Sequence, residues 1–121
     1  MRKKRILLVD DESGFTRLLR LVLPSFEICE ENDSNKALET ARQFHPDLIL
    51  LDVIMPDVDG GTLAAQIRED PSLCRVPIVF LTAIVSKNEI ATNKTIGGFP
   101  FLAKPVTKES LIACINQHLT D

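Results

Sequence analysis

Five residues able to take part in ionic or group-transfer chemistry occupy equivalent places in this chain, at or just past the end of a short aliphatic run. Asp10 and Asp11 follow Ile6 to Val9, and Asp52 follows Leu48 to Leu51; Thr82 ends the run from Ile78 to Leu81, and Lys104 follows Phe101 to Ala103. Brought together, the carboxylates would repel one another by about 4 kcal/mol for a pair 4 Å apart at an effective dielectric of 20. A hard divalent cation relieves that repulsion. Mg²⁺ suits such a set, because it binds through one or two carboxylates, keeps several waters and completes its shell with phosphate oxygens. An incomplete acidic cage therefore points to a phosphoryl group as the missing ligand. A carboxylate can itself be the nucleophile, forming an aspartyl phosphate while lysine, hydroxyl and cation offset charge on the transferring oxygens. Asp52 is the candidate nucleophile, at the end of what reads as the central buried strand, with Lys104 as its counter-charge.

The elements that must position these groups are legible from hydrophobic pattern. Short aliphatic runs bounded by charges fit strands buried on both faces, as in a parallel sheet. Between Asp11 and Pro24, Phe15, Leu18, Leu19 and Val22 recur at helical spacing after Ser13, a candidate cap. Phe26 and Ile28, with Cys29, suggest a short second strand. Ser34 or Asn35 then caps a helix carrying Ala37, Leu38, Ala41 and Phe44, which His45-Pro46 ends. Pro56, Gly60 and Gly61 make a turn-rich loop ahead of a third helix marked by Leu63, Ala64 and Ile67 that fades near Asp70-Pro71. Ser86 to Ile96 reads as a fourth helix with little apolar periodicity. Thr107 caps a fifth, with Leu111, Ile112, Ile115 and Leu119 inward. Five strands alternating with five helices imply right-handed βαβ units around a parallel sheet, an α/β fold. Ligands in such sheets bind outside the carboxyl ends of the strands, which is where the five polar residues fall.

Composition removes several function classes. The chain has 121 residues, room for a single domain, residues 1–121, with one real core and no need of disulfide or metal staples. A net charge of −3 argues against bulk affinity for nucleic acid, which needs a surplus of Lys and Arg on one face. Arg2, Lys3, Lys4 and Arg5 form the one basic run and read as a solvated lead-in to a strand. Ile6 to Val9 is too short for a signal-peptide core or a membrane span, so a cytoplasmic protein is expected. Cys29, Cys74 and Cys114 lack metal-ligand spacing and read as reduced, buried thiols; no zinc site follows. Asp57-Val58-Asp59-Gly60 lacks the later Glu of a calcium loop and reads as a turn.

The Asp10-Asp11 pair, the segment from Leu51 to Gly60 (LDVIMPDVDG), the Leu81-Thr82-Ala83 strand end and the Lys104-Pro105 dipeptide together resemble the receiver domains of bacterial two-component response regulators. The resemblance runs over essentially the whole chain. It implies a flavodoxin-like sheet of five parallel strands in the order 2-1-3-4-5, doubly wound by five helices. It further implies that Asp52 accepts a phosphoryl group from a histidine kinase, a phosphotransfer protein or a small phosphodonor. Asp11, Asp52 and the backbone carbonyl of Ile54 would hold Mg²⁺, with Asp10 acting mainly through water. Thr82 and Lys104 would bind phosphoryl oxygens, the bond before Pro105 would be cis, and Phe101 would be the switch aromatic that turns inward when Thr82 moves. Phosphorylation would then reshape the surface formed by the fourth helix, fifth strand and fifth helix, for a downstream effector or an output domain that this length does not accommodate. A dimer formed on phosphorylation is compatible with the same resemblance.

Two positions depart from the commoner pattern. Ile54 and Ile84, two residues after Asp52 and Thr82, are both aliphatic where many receivers carry a polar group that orients the attacking water. Slow autodephosphorylation is therefore expected. The stretch from Gly97 to Phe101, with Pro100, also differs from the usual acidic turn. Ile54 counts against an aspartyl-phosphate hydrolase, which should carry a second acid there. A flavin carrier lacks its phosphate loop. A degenerate receiver acting only as a docking module is disfavoured because the acidic set is complete.

Overall fold

A computed structural model describes residues 2–83, 95–96 and 98–119. The strands β1 (Arg5–Val9), β2 (Glu27–Glu31), β3 (Leu48–Asp52), β4 (Ile78–Thr82), β5 (Thr95–Ile96) and β6 (Phe99–Ala103) form one sheet in the order β2-β1-β3-β4-β6-β5. The first five in that order run parallel, as expected of 2-1-3-4-5, and β5 is a two-residue antiparallel addition on β6. Among the described residues there are four α-helices: α1 (Ser13–Val22), α2 (Ala37–Phe44), α3 (Gly60–Glu69) and α4 (Lys108–His118). The helix expected over Ser86 to Ile96 mostly falls outside the described residues. Its last two residues are extended, since Thr95 and Ile96 pair with Pro100 and Phe99.

The aliphatic runs are strands because alternate residues feed two cores. Leu7, Val9, Ile49, Leu51, Ile78 and Phe80 face Ala37, Ala41, Leu63, Ala64 and Ile67 of α2 and α3. Ile6, Leu8, Leu48, Leu50, Val79 and Leu81 face Leu19 of α1 and Leu111, Cys114 and Ile115 of α4. Every residue of β3 and β4 is buried, so these strands tolerate no period-two polarity.

Several local expectations change. Ser13 is the first residue of α1 rather than its cap, and Leu18, although correctly spaced, is 56% exposed. Ahead of α2, Asp33 caps a 3₁₀ turn over Ser34–Lys36, so neither Ser34 nor Asn35 is the cap. Leu38 and Phe44 do pack on the core, and α2 ends at His45 in a left-handed conformation, φ 55°. Of the thiols only Cys114 is buried; Cys29 is half-buried and Cys74 exposed. Thr107 caps α4 as expected, in a reciprocal capping box with Ser110.

Register aligns the carboxyl ends. Val9 pairs with Leu51, Asp52 with Leu81, and Thr82 with Ala103, so Asp10, Asp52, Thr82 and Lys104 emerge on one rim of the sheet.

Candidate functional site at the strand ends

Asp10 and Asp52 are buried and Asp11 is exposed, and one carboxylate oxygen from each lies within 4.8 Å of the others. Asp10 is held from behind: its amide donates to the Glu31 carbonyl at 3.2 Å, and its carbonyl accepts from Asn32 Nδ2 at 2.8 Å. Asn32 also donates to Thr16 Oγ1, whose hydroxyl donates to Glu30 at 2.8 Å, tying the first loop to α1 and β2. Lys104 Nζ donates to Asp10 Oδ2 at 2.7 Å and to Glu12 Oε1 at 3.3 Å, and lies 3.9 Å from Asp52 Oδ2. The Phe15 ring centroid is 4.2 Å from the same ammonium. The Lys104–Pro105 bond is cis.

These contacts set the electrostatics. Burial pushes the Asp52 carboxyl up to about 6, helped by Asp10 and, more weakly, Asp11; Lys104 and the Ile54 amide oppose the rise. Burial pulls the Lys104 ammonium down, but its hydrogen bond to Asp10 and the charges of Asp10 and Asp52 hold it above its ordinary value. Three hard oxygen donors in one place, two of them buried, fit a small divalent cation.

Beside the aspartates lies a cleft of about 320 Å³ lined by Asp11, Asp52, Ile54, Thr82 and Lys104. Thr82 is buried, and its carbonyl accepts from the Lys104 amide at 2.8 Å, which fixes the two strand ends to each other. Ile54 is 54% exposed at the cleft mouth, and Ile84 lies outside the described residues. Phe101 is half-buried against the α2–α3 core, opposite Phe80 in register. All five rim residues thus converge, with Ile54 beside them and Phe101 one layer below. Glu12 and Phe15, which also hold Lys104, escaped sequence reasoning. The sole hint of either was a third acid after Asp10-Asp11.

This arrangement has known counterparts. The response regulator receiver domain family matches residues 6–116. The chain belongs to that family. The receiver resembles chemotaxis response regulator CheY4 of Vibrio cholerae, with a TM-score of 0.84 and 26% identity over 97% of this chain and 99% of that one. A response regulator from Desulfuromonas acetoxidans matches with a TM-score of 0.83 and 28% identity, covering 96% of both chains. Among curated proteins, the response regulator PleD of Caulobacter vibrioides is 36% identical over 90% of this chain and 24% of its own length. Transcription factor SKN7 of Candida albicans is 32% identical over 98% of this chain and 21% of its own. This receiver therefore spans about a quarter or less of the length of these two curated relatives, and 49% of a probable transcriptional regulator ycf27 of Porphyridium aerugineum. As a receiver it is a module of two-component signalling, a phosphoacceptor switch with an acidic pocket. No helix among the described residues is long and apolar enough to cross a membrane.

Proposed function

We propose that Asp52 is the phosphoacceptor of this receiver, taking a phosphoryl group from the phosphohistidine of a histidine kinase or phosphotransfer protein. An Asp52 carboxylate oxygen forms the bond to phosphorus as the bond to the donor imidazole nitrogen breaks, and that nitrogen takes a proton. Mg²⁺ fits the donor set: Asp11, Asp52 and the Ile54 carbonyl would hold it, with Asp10 acting through water. When bound, the ion supplies positive charge that offsets the carboxylates and the transferring oxygens.

The chain's own residues do the rest. Asp10 keeps Lys104 at the rim, 3.9 Å from Asp52, where its ammonium can pair with a phosphoryl oxygen. Thr82 Oγ1 binds a second phosphoryl oxygen, and its displacement leaves room for Phe101 to turn further into the core. The face made by β6 and α4 then changes shape for a downstream effector or output domain. Turnover is confined to the protein's own phosphoryl group, so this is a switch rather than an enzyme acting on external substrate. A single domain over residues 1–121, working in the cytoplasm, fits the same reading.

The observation that carries this reading is the convergence of Asp10, Asp11 and Asp52, one carboxylate oxygen of each within 4.8 Å of the others, with Lys104 3.9 Å from Asp52. Incubation with acetyl phosphate and Mg²⁺ should add one phosphoryl mass, mapped to Asp52, and Asp52→Asn should abolish it. Undiminished labelling of Asp52→Asn would overturn the assignment.

A further inference from the structure

The loop between Asp52 and α3 carries Ile54, whose carbonyl would be a metal ligand, so the loop's shape decides whether that ligand is in place before the ion arrives. Its far end is fixed by Gly60, whose amide donates to the Val53 carbonyl at 2.8 Å. Between them the backbone makes a three-residue turn. The Val58 amide donates to the Pro56 carbonyl at 2.9 Å around Asp57, which has φ 71°. A γ-turn with a positive central φ is rare and strained, and it persists only where surroundings over-determine it.

Those surroundings come from a different loop. Ser34 is buried, and its hydroxyl donates to the Pro56 carbonyl at 2.6 Å while accepting from the Val58 amide at 3.2 Å. One hydroxyl thus bridges both backbone groups that close the turn. Asn35 Nδ2 adds a bond to Asp57 Oδ2 at 2.9 Å. Ser34 is in turn fixed by Asp33, whose carboxylate caps the 3₁₀ turn by accepting from the Asn35 amide at 2.9 Å and whose own amide donates to Glu31 Oε2 at 3.1 Å. A cleft between the two loops opens onto Asp11, so the clamp adjoins the acidic site.

We propose that Ser34, backed by Asn35, is a positioning residue that clamps the Pro56–Val58 turn and thereby presets the phosphoacceptor loop for the divalent cation. The inference rests on the function proposed above and adds a specific role for a hydroxyl that touches neither metal nor phosphoryl group. A preformed loop spares the ion the ordering of the chain, so the clamp acts on metal affinity and not on the chemical step.

The test is calorimetric titration of Mg²⁺ into wild type, Ser34→Ala and Asn35→Ala, alongside amide exchange at Val58 and phosphorylation by acetyl phosphate at limiting and saturating Mg²⁺. Ser34→Ala should bind Mg²⁺ about three- to tenfold more weakly, the worth of one or two buried hydrogen bonds. Val58 should exchange faster, and the phosphorylation rate at saturating Mg²⁺ should stay within about twofold of wild type. Asn35→Ala, an exposed site, should shift affinity in the same direction by less, and it decides the matter if Ser34→Ala does not fold. Wild-type affinity in Ser34→Ala, or a loss confined to the saturated rate, overturns the clamp. Wild type that neither binds Mg²⁺ nor is labelled at Asp52 overturns the underlying function instead.

Discussion

Lys104 stands 2.7 Å from Asp10 and 3.9 Å from Asp52, so in this state the lysine reaches past β4 and β3 to bond the aspartate that follows β1 and is only near the candidate nucleophile. Its side chain is 13% exposed and that of Asp10 is 2% exposed, so the pair is largely withdrawn from water. Such charge-assisted bonds are short and stronger than neutral ones. Removing the cation leaves two buried carboxylates facing each other without relief. Lys104→Ala should therefore lower the stability of the metal-free protein by about 1.5–3 kcal/mol, read from urea unfolding, and Mg²⁺ should recover much of the loss. A Lys104→Ala protein as stable as wild type in chelator would show that the ion pair contributes nothing net.

The raised Asp52 carboxyl gives a pH dependence of definite sign. Its ordinary value is 3.8 and its folded value about 6, so between them the folded chain binds more protons than the unfolded one. The resulting stability is fully present below the lower value and is lost as pH rises through the higher. In chelator, Asp52→Asn should accordingly match wild type near pH 4 and exceed it near pH 7 by about 1–2 kcal/mol, allowing for solvent screening. Excess Mg²⁺ should reverse that order near neutral pH, because only wild type has the charged ligand. Parallel denaturation profiles for the two proteins in chelator would contradict the account.

Two glycines make opposite predictions from one substitution. A Cβ on Gly60 would meet the Asp52 carbonyl oxygen and lie 2.8 Å from Val53 Cα, backbone atoms that cannot turn aside. Gly60→Ala should cost about 1–3 kcal/mol and displace α3 from Asp52, slowing labelling by acetyl phosphate. Gly14 lies inside α1 with nothing within 4 Å of a Cβ, so Gly14→Ala should stabilise by about 0.5–1 kcal/mol through helix propensity. Thermal unfolding of both variants reads the two signs directly.

Much of this site was legible because β1, β3 and β4 are aliphatic runs buried on two faces, which a short sequence window can detect, and the rim residues sit at their ends. Leu18 shows the limit of that signal. Its spacing matches Phe15, Leu19 and Val22, yet it borders the shallow groove between α1 and α4 and stays largely in solvent. Periodicity gives a face but not how far the neighbouring helix covers it. The bonds from Ser34 to Pro56 and Val58 join residues 22 and 24 positions apart. No local pattern encodes such a pairing, and Ser34 looked like an ordinary capping residue. Likewise Glu12 and Phe15 become partners of Lys104 only once β1 and β6 end on the same rim.

Ile54 should set the lifetime of the phosphorylated state. It is 54% exposed and lines the cleft that holds Asp52, so its side chain stands at the mouth through which water must reach an acyl phosphate. An aliphatic group there excludes solvent and offers no hydrogen bond to orient a water for in-line attack. Ile54→Asn supplies both a smaller obstacle and a donor–acceptor pair, while leaving the backbone carbonyl, and so the proposed metal ligand, unchanged. One transition-state hydrogen bond worth about 1.4 kcal/mol corresponds to roughly tenfold in rate. The decay of the mass-labelled protein, after removal of phosphodonor, should thus be about tenfold faster in Ile54→Asn, with the rate of labelling little changed. Equal decay rates would mean that water reaches Asp52 by a route the Ile54 side chain does not control.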